Sequence, residues 1–253
     1  AEMMASGTMP EYLFWVGCAG SFDQRAQKIT KAFATILDKA GVVYAILGKE
    51  EACTGDPARR AGNEFMFQMM AYQNIQVMNA YEIKKIVTTC PHCFNTLKNE
   101  YPALGGNYDV IHHTQFLQEL IESGKIKISD SNEWKGKTIT YHDSCYLGRA
   151  NDIYEAPRTV LESLDIELKE MRRCKSKGLC CGAGGAQMFK EEEKGTTRIN
   201  MDRADEAIET KANFVASACP FCNTMMTDGI KNRDEEVKTE VLDIAEMIAK
   251  AIQ

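Results

Sequence analysis

Short apolar runs alternate with amphipathic stretches along this chain, and the alternation begins at Tyr12. Residues 12–16 are apolar and read as a buried strand that delivers Gly17 and Cys18 to its carboxyl end. Ile29, Phe33, Ile36 and Leu37 then recur at helical spacing, which predicts a helix over about 22–39, capped by Ser21 and stopped by Gly41. A strand over 42–47, a loop from Glu51 to Pro57, a long helix over about 59–79 and a strand over 85–88 follow. Cys90-Pro91-His92-Cys93 opens a helix to Glu100. A strand over 108–111 and a helix capped by Thr114 and running to about Ser123 close this half, while residues 1–10 read as a flexible lead-in.

Residues 129–137 are polar, lack an apolar period and read as a linker. The pattern then restarts. Strands are predicted over 138–141, 166–171 and 214–217, with a glycine-rich loop over 179–185. Helices are predicted with Pro157 in a first turn and an end at Leu164, and over about 186–192, 197–211 and 243–252. Strands alternating with helices through short links imply an α/β fold of two pseudo-repeated units, 1–128 and 138–253. Each is expected to be a small parallel sheet flanked by helices, with its cysteine loops at the carboxyl ends of the strands, where open α/β sheets build their sites.

Bulk properties narrow the function. Among the 253 residues, 44% are hydrophobic and 26% charged, as in soluble globular proteins. A net charge of −6 with no basic cluster excludes an electrostatic nucleic-acid binder. No apolar run approaches the roughly 18 residues of a membrane span. Leu13-Phe14-Trp15-Val16 is short and lacks the basic leader of a secretory signal. The expected compartment is the cytoplasm, where ten cysteines stay reduced or bind metal.

The cysteines repeat with the elements. Cys18, Cys53-Thr54-Gly55 and Cys90-Pro91-His92-Cys93 are matched by Cys145, Cys180-Cys181-Gly182 and Cys219-Pro220-Phe221-Cys222. The first interval is 35 residues in both copies, the second is 37 and then 39, and the copies are offset by about 127. Two thiolates separated by two residues chelate an iron–sulfur cluster from a single turn. The following proline starts a helix whose positive end faces the sulfurs, and neighbouring glycines let backbone N–H groups approach them. In the second copy Cys145, Cys180, Cys181, Cys219 and Cys222 come from three loops at one sheet edge, one ligand more than a four-cysteine cubane needs. In the first copy Thr54 replaces one cysteine, and Cys18, Cys53, Cys90 and Cys93 suit an ordinary [4Fe-4S] cubane or a degenerate scaffold equally.

Two bland readings compete. A zinc-stabilised non-catalytic scaffold accounts for paired Cys-x-x-Cys turns, although five thiolates overfill a tetrahedron. A thioredoxin-like dithiol oxidoreductase accounts for strand, Cys-Pro-x-Cys and helix, but leaves Cys18, Cys53, Cys145, Cys180 and Cys181 without a role. Cys174 reads as a spare thiol, and Gln187 stands where a dinucleotide fingerprint wants glycine. His92 and His142 read as hydrogen-bonding neighbours of the ligands rather than ligands. Phe65, Met66, Phe67, Met69 and Met70 read as core, and Arg149, Arg158 and Arg203 as structural pairs.

Tyr141-His142-Asp143-Ser144-Cys145-Tyr146-Leu147-Gly148-Arg149 and Cys180-Cys181-Gly182-Ala183-Gly184-Gly185 resemble the cysteine-rich CCG-domain family. That family includes the cysteine-rich subunit of heterodisulfide reductase, the iron–sulfur subunits of glycolate and lactate oxidation, and iron–sulfur proteins linked to electron-transfer flavoprotein. The resemblance covers about 12–223. It implies a non-cubane [4Fe-4S] cluster on Cys145, Cys180, Cys181, Cys219 and Cys222, with Thr54 the departure that leaves a second cluster in the first copy open. It also implies an oxidoreductase subunit that passes electrons between partners and a disulfide, 2-hydroxy acid or quinone couple. The implied partners are a ferredoxin-like iron–sulfur subunit and a flavoprotein, with peripheral attachment to the inner face of the membrane through them. Residues 53–57 and 62–64 resemble the flavoprotein-linked members more closely.

Overall fold

The computed structural model describes residues 2–191, 195–233 and 239–252. Its first sheet holds β1 (Tyr12–Trp15), β2 (Tyr44–Ala45), β3 (Lys85–Thr88) and β4 (Asp109–His112), in the order β2-β1-β3-β4. Its second holds β5 (Thr138–Tyr141), β6 (Glu167–Leu168), β7 (Phe214–Ser217) and β8 (Glu240–Asp243), in the matching order β6-β5-β7-β8. Every pairing is parallel. This is the two-unit α/β architecture expected from the alternation, and all six cysteine loops follow carboxyl ends of strands.

In chain order the helices are α1 (Glu2–Ala5), α2 (Gly17–Phe22), α3 (Gln24–Lys39), α4 (Asp56–Arg60), α5 (Glu64–Ala80), α6 (Pro91–Asn95) and α7 (His113–Glu122). Then come α8 (Glu155–Glu162), α9 (Ile199–Glu209), α10 (Pro220–Arg233) and α11 (Ile244–Ala251). One core joins the two sheets: Phe14, Phe33, Ile36 and Leu120 from the first pack with Ile139, Leu161, Met247 and Ile248 from the second. Helix α3 lies on α11, and α7 on α8. His113 at the start of α7 meets Asp243, the cap of α11, at 3.1 Å with both side chains fully buried. That docking places the two sets of strand ends against each other.

Several boundaries differ from expectation, most of them for a local reason. Asp23, not Ser21, caps α3, because its carboxylate accepts the Ala26 N–H at 2.7 Å while Ser21 donates to the Gly17 carbonyl. His112, not Thr114, caps α7, and the Gln115 side chain reaches back to complete the box. The helix expected over 59–79 breaks at Gly62, whose φ of 87° is left-handed, and restarts under an Asn63 cap. Strands β2 and β6, each at a sheet edge, are only two residues long, shorter than the expected 42–47 and 166–171.

The 129–137 segment is packed rather than free. Trp134 is buried and its indole N–H donates to the Met247 carbonyl at 2.9 Å. A lone aromatic carries no period for a sequence to show. Only a 3-10 turn over Gln187–Phe189 stands where a helix over 186–192 was expected, and Glu192 lies outside the described residues. Strand β8 and most of α10 were not foreseen. Of the apolar group on α5, Phe67 is buried, but Phe65, Met66 and Met69 are exposed together with Tyr72.

Candidate metal centre

The turn out of β1 runs close against the first Cys-Pro-x-Cys turn. Gly17 has a φ of 77°, and a Cβ there would stand 3.2 Å from Cys93 Sγ, so the loop carrying Cys18 lies directly on the Cys90–Cys93 turn. The Cys18 thiol hydrogen-bonds Cys53, and Cys93 hydrogen-bonds Cys90. Asn74 of α5 pins the Cys53 loop: its amide donates to the Cys53 carbonyl at 3.0 Å, and its Oδ1 accepts from the Ala52 N–H at 3.3 Å. In the second half Cys180 bonds Cys145 and Cys181, Cys181 bonds Cys222, and Cys222 bonds Cys219. The two sets touch, because Cys90 hydrogen-bonds Cys219 across the seam between the sheets. All nine predicted ligands therefore converge, and all are free thiols. Cys174 stands apart, with Glu170, Asp143 and Arg158 as its charged neighbours.

Charge is distributed alike at Cys53 and Cys180 but differently at Cys90 and its counterpart Cys219. Cys53 is pulled down to about 7, first by the Cys18 thiol and then by the Gly55 N–H at 3.5 Å, against the cost of burial. Cys180 is lowered further by the thiols of Cys145 and Cys181 and by the Gly182 N–H at 3.3 Å. Gly55 and Gly182 make this possible through left-handed φ values of 88° and 90°. Burial opposes ionisation of Cys90, but thiol bonds from Cys219 and Cys93 overcome it and hold that sulfur low. The remaining thiols are pushed up: Cys18 and Cys145 by their bonds to Cys53 and Cys180, Cys93 and Cys181 by bonds to Cys90 and Cys180, and Cys219 by burial. Neighbouring anions cannot all form in a buried site without a cation among them. A polynuclear metal group fits this demand, since it takes several thiolates at once and displaces their protons. Beside the second set, the Ser144 hydroxyl bonds Cys222, while His142 Nε2 is buried with no partner among the described residues, as a donor awaiting an acceptor would be.

Other side chains frame the sulfurs, and of these Glu51, Asp56 and Arg60 were not singled out by the spacing. Glu51 accepts the N–H of Gly17 at 2.6 Å and of Val16 at 3.1 Å, and burial raises it to about 7 despite those bonds. His92 bonds Asp56 at 2.9 Å, and Asp56 bonds Arg60 at 3.0 Å. The His92 ring lies between Tyr146 and Phe221, with centroids at 4.5 and 5.2 Å, and so spans the seam. Only the position of His92 and Phe221 inside matching Cys-Pro-x-Cys turns hinted at this meeting. The three arginines make pairs as expected: Arg158 with Asp143 and Glu170, Arg203 with Glu206 and His142, Arg149 with the Gly178 carbonyl.

The model of the CCG cysteine-rich domain matches residues 12–98 and 139–227. The chain belongs to the CCG cysteine-rich domain family. Among its relatives is the "Probable iron-sulfur-binding oxidoreductase FadF" of Bacillus subtilis, 45% identical over 252 residues that make up 99% of this chain and 35% of that protein. The "EtfAB:quinone oxidoreductase" of Syntrophomonas wolfei is 44% identical over 96% of this chain and 34% of its own length. A subunit of the "Dihydromethanophenazine:CoB--CoM heterodisulfide reductase" of Methanosarcina barkeri is 35% identical over 96% of this CCG chain and 59% of its own length. The chain thus spans about a third of the first two relatives. No helix among its described residues is long and apolar enough to cross a membrane.

Proposed function

We propose that this CCG chain is the iron–sulfur electron-transfer module of an oxidoreductase. The reading rests on one observation: nine free thiols form a row that crosses the seam at Cys90 and Cys219. Cys145, Cys180, Cys181, Cys219 and Cys222 would hold a non-cubane [4Fe-4S] cluster, and Cys18, Cys53, Cys90 and Cys93 a second [4Fe-4S] cluster. Bound there, such groups supply one-electron oxidation and reduction. The protein's own part is to hold charge. The Gly55 and Gly182 N–H groups face the sulfurs of Cys53 and Cys180, and burial shields Cys90, Cys93, Cys181, Cys219 and Cys222 from water. Half-buried Cys18, Cys53, Cys145 and Cys180 lie at the two ends of the row, where electrons would enter and leave.

We take residues 1–128 and 138–253 as the two repeat units. The names of two relatives support a flavoprotein partner and a quinone or disulfide as the terminal couple; a ferredoxin-like iron–sulfur partner and a 2-hydroxy acid couple rest on the family resemblance alone. Attachment to the inner face of the membrane would come through those partners. The test is Cys181→Ser on anaerobically loaded protein, read by electron paramagnetic resonance. Loss of one of two signals supports the five-thiol assignment, and an unchanged spectrum contradicts it.

A further inference from the structure

His142 leaves the end of β5 three residues before Cys145 and is almost wholly buried. Its Nδ1 lies 2.9 Å from Arg203 Nε. A guanidinium has only donors, so Nδ1 is the acceptor and carries no proton. Arg203 is held in place, its side chain fully buried while Nη1 donates to the Arg173 carbonyl and to Glu206, each at 2.7 Å. The ring proton of neutral His142 must then sit on Nε2. Nε2 has no partner among the described residues.

A ring nitrogen of His142 lies within 4.8 Å of the sulfurs of Cys181 and Cys222. That trio resembles a metal site in composition. Ligation through Nε2, however, needs a lone pair there, and the Arg203 contact leaves Nε2 a proton instead. The acceptor chemistry beside the ring is sulfur.

Resting on the proposed function, we infer that His142 is an N–H donor to sulfur of the group held by the second cysteine set, with Arg203 the positioning residue that fixes its tautomer. An N–H directed at sulfur stabilises the more negative, reduced state and raises the midpoint potential. The Arg203–His142 pair is in this way a means of setting potential without changing any ligand.

The test uses protein loaded anaerobically with iron and sulfide, with its histidines labelled with nitrogen-15, and reads electron–nuclear double resonance and redox titration. The expected spectrum has a proton coupling that disappears in heavy water and no strong nitrogen coupling. His142→Phe should remove that proton coupling and lower the midpoint potential. His142→Gln, which keeps an N–H near the Nε2 position, should restore both in large part. A strong nitrogen coupling lost in His142→Phe would make His142 a ligand and overturn the inference, as would a proton coupling and potential unmoved by His142→Phe. Loaded protein with no iron–sulfur signal would instead sink the proposed function, and this inference with it.

Discussion

Gly55 and Gly182 follow Cys53 and Cys180 by two residues and share a left-handed φ near 90°, yet their surroundings differ. A Cβ at Gly182 would meet Ile199 Cβ no closer than 3.4 Å, an ordinary contact. At Gly55 it would stand 2.9 Å from Phe67 Cδ2 and 3.2 Å from the Phe67 carbonyl oxygen. Gly182→Ala should therefore lose about 1–2 kcal/mol from backbone strain alone. Gly55→Ala adds overlap with α5 and should lose about 3 kcal/mol or more. Denaturant titration of the two variants checks the ranking; equal losses would show that the approach to Phe67 carries no weight. The Cys-x-Gly spacing made both glycines visible in the sequence. The closeness of Phe67 was not, because it depends on how α5 docks.

Helix α5 shows where an amphipathic reading fails. From Phe65 to Ala80 it has no charged residue, so no polar face marks the solvent side. Its buried side, Phe67, Ala71, Asn74, Ile75 and Met78, grips the Cys53 loop, while Phe65 is 78% exposed. Phe67→Ala should cost about 3–5 kcal/mol, as an emptied aromatic site does. Phe65→Ser should change stability by no more than about 0.5 kcal/mol. Thermal unfolding of both separates the faces; a comparable loss for Phe65→Ser would contradict the placement of this helix. Strands β1, β3, β5 and β7 were legible as short runs rich in β-branched and aromatic residues, and they occupy the sheet interiors. Edge strand β8, Glu240-Val241-Leu242-Asp243, was not read, although β4 has the same length and also has polar ends.

Across the whole molecule, repetition carried the most information. The recurring 35-residue interval located two equivalent cysteine units before any fold was known, and the matching strand orders β2-β1-β3-β4 and β6-β5-β7-β8 follow the same repeat. The meeting of Cys90 with Cys219, and of His92 with Phe221, was beyond spacing alone, since it arises from the shared core and the α3–α11 contact. If the row of thiols is a metal centre of iron and sulfide, its composition follows from its ligands. The most direct measurement is iron, acid-labile sulfide and zinc per chain in anaerobically purified protein. Two clusters predict about eight iron and eight sulfide with zinc absent; about one or two zinc with neither iron nor sulfide would contradict the account.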